Sequence, residues 1–307
     1  MNGRKKRLPP PAPSCTGTSN TMSPTPSPYR HGREHDNSPA LSRQPDLRRA
    51  WITYGHWLLY TLAKTAQPIV DVRYLPGYLR LAGYKSRHAG ETCVVVGNGP
   101  SLKKTDTALL NHVPTFGMNR IYIGMEDLGF VPSYYVCVNA HVLDQCKSEI
   151  RTLGMPRFLR ATRTVKPPWP DSVFLRTGRV LRSEATFSSN PLNGTWEGAT
   201  VTYVCLQLAY WMGFSKVILV GVDHSFSTSG PAHKLVTAEK PDENHFSSAY
   251  FDKGFKWQLP DLEQSELAYR MADWVFRQHG GEIVDCTVDG KCPVFRKSDL
   301  RRELDLP

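Results

Sequence analysis

The stretch TCVVVGNGPSL, residues 92–102, constrains the fold of this chain most strongly. A run of β-branched residues leads directly into a turn that contains Gly97, Gly99 and Pro100. Such a continuous apolar run is typical of a strand that is buried on both faces of a parallel sheet. A turn with so little side chain indicates that something approaches the backbone closely. Either a ligand phosphate faces its N–H groups, or the turn is an ordinary tight connection between a strand and a helix.

The segments that follow extend this interpretation from one strand to a fold class. Further strands are predicted in VPTFGMN, SYYVCVN, SKVILVGVD and EIVDCT, the last of which we expect to be the final strand. Helices are predicted at residues 101–111, at residues 141–153, in the apolar segment ending at Gly213, and in an amphipathic segment with Asp261 as N-cap and Gly280 just past its end. Strands that alternate with helices predict a Rossmann-like α/β domain, with a mostly parallel sheet and helices on both faces.

Shifts in composition divide the chain into three predicted parts. Residues 1–47 are rich in Pro, Ser and Arg, and we expect a disordered basic leader. Residues 48–87 are predicted to form a helical connector. Its aromatic and basic side chains suit packing on the main domain, or else an interfacial membrane helix. Residues 88–300 are predicted to form a single nucleotide-binding catalytic domain.

Charge and cysteine content bear on location and partners. The formal net charge is +10, and the leader holds much of the excess. We expect this leader to be solvated, or to contact an anionic membrane peripherally, and we expect no nucleic-acid partner. The chain has seven cysteines and no CxxC pair, which favours buried thiols in a reducing compartment. Because no apolar run reaches about 18 residues, we expect a cytoplasmic protein.

Several glycines and polar residues follow predicted strands, where ligands bind in parallel α/β sheets. These residues are Gly97, Asn98, Gly99, Ser101, Asn119, Asn139, Gly221, Val222 and Asp223. The amides of Asn119 and Asn139 suit a ribose or a base edge, although each asparagine could instead cap the next helix.

The polar loop at residues 224–260 carries the remaining candidates. It contains His224, His233, Lys234 and His245. A histidine can act as general base or acid near neutral pH, and a long loop over a sheet edge is typical of an active-site lid. The spacing of the histidines fits no common zinc pattern, so we expect no metal site.

A set of motifs in order resembles one known superfamily. The motifs are VVVGNGPSL, FGMNRIYIG, YYVCVN, TVTYVCLQLAYWMGFSKVILVGVD and NHF. Together they look like the superfamily of 6-hydroxymethylpterin diphosphokinase-like proteins, motility accessory factor glycosyltransferases and bacterial CMP-sialic-acid-dependent sialyltransferases. The resemblance covers about residues 91–295.

Likeness to the sialyltransferases implies a role for each motif. The turn from Gly97 to Ser101 and the two asparagines would hold the nucleotide of a CMP-sugar, together with Gly221, Val222 and Asp223. Thr200 and Thr202 match the donor-binding start of a helix, although the family's Thr-Ser-Gly is here Thr-Val-Thr. His245 matches the catalytic histidine, which would deprotonate the hydroxyl of a saccharide acceptor during an inverting displacement. No cofactor is required for this reaction.

One departure from the sialyltransferases concerns the leaving phosphate. The family places tyrosines just after the aspartate, whereas this sequence has His224, Ser225 and Phe226. We expect His224, His233 or Lys234 to neutralise the phosphate instead, and the donor could be another nucleotide sugar.

Two other functions remain open from the sequence. The first is a diphosphokinase that transfers pyrophosphate from ATP to a pterin alcohol, with Mg²⁺ bound by carboxylates. The second is a nucleotide-binding scaffold without catalysis, which would have no need of His245.

Overall fold

An eight-stranded sheet forms the centre of the computed structural model, which describes residues 72–178, 186–227 and 230–305. The predicted leader and residues 48–71 of the predicted connector lie outside the described residues. In chain order the strands are β1 (Thr92–Val96), β2 (Thr115–Met118), β3 (Tyr134–Cys137), β4 (Arg157–Arg160), β5 (Ser172–Leu175), β6 (Thr177–Gly178), β7 (Thr195–Trp196), β8 (Lys216–Val220), β9 (Leu235–Thr237), β10 (Lys256–Gln258), β11 (Glu282–Asp285) and β12 (Arg296–Lys297).

The sheet order is β12-β11-β8-β1-β2-β3-β4-β5, and all of its neighbouring strands pair in parallel. From β1 the chain builds outward to β5, then returns to place β8 on the other side of β1. The strand order therefore reverses between β1 and β8. Ligands of open α/β sheets bind in the crevice at such a switch point, beyond the carboxyl ends of the strands.

Helices cover both faces of this sheet. They are α1 (Leu75–Gly83), α2 (Met125–Leu128), α3 (Ala140–Gln145), α4 (Lys147–Thr152), α5 (Val201–Met212), α6 (Leu262–Gln278) and α7 (Leu300–Glu303). Because successive residues of a strand face opposite sides, Val95 packs in the core with α5 and α6, while Val94 packs in the core with α3 and α4. The Rossmann-like α/β fold is thus confirmed.

The two long helices end where the sequence predicts. Helix α5 stops at Gly213, which has a left-handed backbone with φ of 89°. Helix α6 begins after Asp261, whose carboxylate accepts a hydrogen bond of 3.1 Å from the Gln264 N–H. Gly280, just past its end, is also left-handed, with φ of 73°.

Other elements differ from the prediction. Residues 101–111 form parts of two 3₁₀ helices (Pro100–Lys104 and Thr107–His112), and residues 141–153 fall into two short helices that meet at Cys146. The polar loop contains the antiparallel pair β9 and β10, and β12 follows the strand predicted to be last.

Strands β4 and β5 were not predicted. Arg157 begins β4 and is buried, because its guanidinium donates to backbone carbonyls and to the Ser172 hydroxyl at 3.0 Å. A charged residue inside the core interrupts the apolar pattern on which the prediction of a buried strand depends.

Two further expectations concern cysteines and membrane contact. The described cysteines, from Cys93 to Cys292, are buried with free thiols, and burial raises the pKa of Cys137 to about 12. Among the described residues, no helix has the length and apolar character needed to cross a membrane.

Candidate functional site

The turns after β1 and β8 touch each other at the switch point. The Gly97 N–H donates to the Val220 carbonyl and the Gly99 N–H to the Gly221 carbonyl, both at 2.8 Å. A Cβ built on Gly97 would lie 2.2 Å from the Gly221 carbonyl oxygen. The group that approaches this bare turn is therefore the neighbouring backbone, which only glycine can admit so closely.

The second glycine of the turn makes room for Asp223. A Cβ on Gly99 would lie 1.8 Å from Asp223 Oδ2. This carboxylate accepts hydrogen bonds from the Ser101 N–H at 3.1 Å and from the Ser101 hydroxyl at 2.6 Å. The N–H groups of Gly97, Gly99 and Ser101 thus all have hydrogen-bond partners within the chain. The turn therefore offers a ligand its side chains more than these backbone groups. The nucleotide role of the turn stays a prediction.

A cavity of about 370 Å³ opens beside these turns. Most of the predicted site residues line it, namely Gly97, Asn98, Gly99, Asn119, Asn139, Thr200, Thr202, Gly221, Val222, Asp223, His224, His233 and His245. Ser101 reaches the cavity only through its bonds to Asp223, and Lys234 does not line it.

The three asparagines use their amides differently. Asn98 donates to the Met118 carbonyl at 3.1 Å, while its buried Oδ1 has no hydrogen-bond partner within the described chain. Asn119 accepts from the Cys137 thiol at 3.5 Å. Asn139 caps α3 by accepting from the N–H groups of residues 141 and 142 at 3.0 and 3.3 Å. The capping alternative therefore holds for Asn139.

Thr200 is the N-cap of α5, and its Oγ1 accepts from the Thr202 N–H at 3.3 Å. The same oxygen lies 3.4 Å from the hydroxyl of Tyr269. Burial raises the pKa of Tyr269 to about 12, so this phenol is neutral at physiological pH. Tyr269 also lines the cavity, and nothing in the sequence of the amphipathic α6 marked it as a site residue.

The imidazole of His245 is oriented by a buried carboxylate. Its Nδ1 lies 2.8 Å from Asp242 Oδ2, and the two side chains are 14% and 3% exposed. The imidazole stacks on Tyr250 with ring centroids 3.8 Å apart and planes inclined by 7°. Since a carboxylate fixes the proton on Nδ1, Nε2 becomes the acceptor, which is the arrangement that a general base requires.

The segment that carries His245 is tied to the sheet at two turns. The Phe246 N–H donates to the Asn98 carbonyl at 2.8 Å. The guanidinium of Arg120, just after β2, donates to the Tyr250 carbonyl and, at 3.2 Å, to the Ala249 carbonyl. His245 is thereby fixed next to the turn after β1.

Two further histidines of the cavity, His224 and His233, each meet a carboxylate. His224 Nε2 lies 3.1 Å from Glu266 Oε1. His233 is exposed, and its Nε2 lies 3.2 Å from Asp261 Oδ2. Both imidazoles are therefore oriented by α6 and its N-cap.

Arg160 and Glu197 form an ion pair of 2.5 Å at the edge of the cavity. Among the described residues that line the cavity, Arg160 is the single arginine or lysine. Arg160 was not among the predicted site residues because β4 was not predicted. An arginine at the carboxyl end of a strand is nevertheless a usable signal of a ligand site. In the described ranges, no group of three or more His, Cys, Asp or Glu is placed to hold a metal ion.

Comparison with known proteins finds a matching family model and similar solved structures. The model of the family described as 6-hydroxymethylpterin diphosphokinase MptE-like matches residues 72–229. The solved structure of the MAf glycosyltransferase from Magnetospirillum magneticum AMB-1 is similar, with a TM-score of 0.44 and 16% identity. The similarity covers 72% of this chain and 38% of that one. No curated protein matches the chain.

Proposed function

The chain belongs to the 6-hydroxymethylpterin diphosphokinase MptE-like family, and from this premise we propose that it is a glycosyltransferase. It moves a sugar from a nucleotide-sugar donor to a hydroxyl of a saccharide acceptor. The observation that carries the proposal is the Asp242–His245 pair. Its imidazole lines the switch-point cavity, and the segment that carries it is tethered to the turn after β1.

In the proposed reaction, His245 Nε2 takes the proton of the acceptor hydroxyl. The oxygen forms a bond to the anomeric carbon as the bond from that carbon to the nucleotide phosphate breaks. Configuration inverts, and the nucleotide leaves with the electron pair. Asp242 stabilises the imidazolium that forms, since its carboxylate lies 2.8 Å from Nδ1.

The donor in this proposal lies in the crevice between the turns of β1 and β8. A CMP-linked sugar is our first choice because of the sialyltransferase-like motifs. The buried Oδ1 of Asn98 is available to a ligand donor group. The leaving phosphate would meet His224, His233 and Arg160, which line the cavity, rather than Lys234, which does not.

A diphosphokinase is the second candidate, because the description of the matching family names that activity. Its Mg²⁺ would take one or two protein carboxylates plus phosphate oxygens. Asp223 and Glu197 are the carboxylates that line the cavity. Each already accepts from a neighbour, Ser101 or Arg160, so the residues present fit such an ion poorly.

A thermal-shift panel on the full chain separates the two candidates. It compares CMP, CDP, UDP, GDP and ATP, each with and without Mg²⁺. A ligand at 100 times its dissociation constant stabilises the fold by about 2.7 kcal/mol. We expect CMP to stabilise without Mg²⁺. Stabilisation by ATP alone, and only with Mg²⁺, would overturn the glycosyltransferase in favour of the diphosphokinase.

The variant His245→Ala tests whether the site is catalytic. We expect it to keep the nucleotide-induced shift and to lose about 10²–10⁴-fold in the rate of sugar transfer, because that is what a positioned base contributes. An unchanged rate of transfer in this variant would remove His245 from the mechanism. Nucleotide binding without any transfer by the unmutated chain would instead support the scaffold.

A further inference from the structure

A second cavity, of about 330 Å³, lies beside the nucleotide crevice. It shares Asn244, Phe251 and Trp257 with the first cavity. The rest of its wall comes from Ser227 and from β9 and the segment after it, with Val236, Thr237, Ala238, Glu239, Lys240, Pro241, Asp242 and Glu243. Its volume is within the range of small-molecule sites.

The catalytic pair lies on the boundary of the two cavities. Asp242 lines the second cavity, whereas His245 lines the first. Between them, Asn244 Oδ1 accepts from the Ser227 N–H at 2.7 Å and from the Ser227 hydroxyl at 3.0 Å. A ligand in the second cavity therefore contacts Asp242, the partner of His245, and borders the first cavity across Asn244, Phe251 and Trp257.

We propose that the second cavity is the acceptor subsite and that it takes a neutral saccharide. This inference rests on the proposed function. In a direct displacement the acceptor oxygen attacks the face of the anomeric carbon opposite the leaving nucleotide. The body of the acceptor must then lie outside the nucleotide crevice and extend one hydroxyl to His245 in the first cavity. The second cavity borders the first through three shared residues and offers such a space.

The wall of this cavity suits the two surfaces of a sugar ring. Phe251 and Trp257 stack on each other with centroids 5.1 Å apart, and both are apolar surfaces against which C–H groups pack. Around them stand a hydroxyl, an amide and charged groups, from Thr237, Asn244, Glu239, Lys240 and Glu243. These groups supply both donors and acceptors for ring hydroxyls.

Charge excludes an acidic acceptor. Among the described residues of the wall, the carboxylates of Glu239, Asp242 and Glu243 stand against the ammonium of Lys240. A carboxylate or phosphate on the acceptor would be repelled, which discriminates against acidic saccharides. The cavity therefore selects a sugar without a negative charge.

Saturation-transfer NMR on the full chain tests the subsite without any donor. The neutral probes are the methyl glycosides of glucose, galactose, mannose, N-acetylglucosamine and N-acetylgalactosamine, and the acidic probes are glucuronic and galacturonic acid. We expect at least one neutral glycoside to bind and both acids to fail. Binding of the acids alone, or of no neutral glycoside, overturns the inference.

Two variants locate the binding site. Ala238→Phe fills the cavity from the position just after β9 and should weaken glycoside binding at least tenfold. Leu235→Phe is the matched control, because Leu235 is exposed in β9, three residues before Ala238, and lines neither cavity. Should Ala238→Phe fail to fold, Glu243→Ala removes an exposed acceptor of the wall and should weaken binding several-fold. Unchanged binding in whichever folded variant is measured overturns the inference.

The CMP-induced thermal shift keeps this test separate from that of the proposed function. It should be equal in the unmutated chain, in Ala238→Phe and in Leu235→Phe, because none of these changes touches the nucleotide crevice. A CMP-induced thermal shift without glycoside binding would overturn the acceptor subsite and leave the proposed function unaffected. Glycoside binding without stabilisation by any nucleotide would overturn the proposed nucleotide-sugar donor but would still support the saccharide site.

Discussion

The two glycines of the turn after β1 differ in what a side chain there would meet. At Gly97 a Cβ meets the backbone of Gly221, which cannot move without separating β1 from β8. At Gly99 it meets the carboxylate of Asp223, which can rotate away at the loss of its bonds to Ser101. Overpacking costs about 1–3 kcal/mol, and more where the neighbour is rigid.

We therefore expect Gly97→Ala to lower the free energy of unfolding more than Gly99→Ala does. Urea unfolding followed by circular dichroism measures both changes. Gly83→Ala is the control, since a Cβ at that position meets nothing within 4 Å. Equal losses at residues 97 and 99 would show that the contact between the turns is not rigid.

A second prediction concerns Asp242, the carboxylate beside His245. Asp242→Asn keeps the shape of the side chain but removes the charge that stabilises a protonated His245. Turnover should fall by a factor within the roughly 10²–10⁴ that general-base catalysis contributes, while nucleotide binding stays unchanged. Glu263→Gln, at an exposed carboxylate early in α6, is the control. A loss of nucleotide binding in Asp242→Asn would point to a structural role.

The segment between β9 and β10 is held in place by Arg120, which is distant in sequence and acts as a clamp. Arg120 donates to the carbonyls of Ala249 and Tyr250, and its guanidinium lies 5.1 Å from the ring centroid of Phe255. Gln145 holds the end of the same segment, where β10 begins, through two hydrogen bonds to the Lys256 backbone at 2.8 and 2.9 Å. The position of His245 is thus set by residues after β2 and in α3.

Arg120→Met should loosen this segment selectively. The variant leaves buried carbonyls unpaired, at a cost of about 1–3 kcal/mol. Hydrogen exchange should accelerate at residues 244–255 and stay unchanged in α5. Arg270→Met serves as the control, because Arg270 is an exposed partner of Glu266 on α6. Uniform acceleration over the whole domain would contradict a local clamp.

Sequence patterns predicted the elements whose environment is uniform. Strands β1 and β8 are apolar and buried after their first residue, and α5 and α6 carry clear signals at their ends. Strand β9 was not predicted because its residues are half-buried or exposed and lack an apolar run. The partnership of Asp242 with His245 needed the fold of the loop, and no local pattern distinguishes Asp242 from its acidic neighbours.

Glu303 joins the end of the chain to the sheet, because it lies in α7 and contacts β12 and β8. Its carboxylate accepts from Arg296 at 2.8 Å, from Ser298 at 2.6 Å and from Lys216 at 3.2 Å. The side chain is 7% exposed. The hydrogen bond from Arg296 is the main cause that lowers the pKa of Glu303 from 4.5 to about 2.

A lowered pKa in the folded state makes the contribution of Glu303 dependent on pH. The stabilisation is present in full above pH 4.5 and is lost as the pH falls from 4.5 towards 2. The difference in free energy of unfolding between the unmutated chain and Glu303→Gln should therefore shrink over that interval. Denaturant titrations at pH 7, 4 and 2.5 measure it. A difference that does not vary with pH would contradict the linkage.

The contact between the turns of β1 and β8 also governs when the domain can be assembled. Ser101 and Asp223 meet although 122 positions separate them in the chain. Contacts of such long range slow folding, because a large loop must close before they form. During synthesis the ribosome has to release β8 before β1 gains its inner neighbour. Until then one edge of β1 is unpaired, and we expect the nascent chain to be prone to aggregation at that edge.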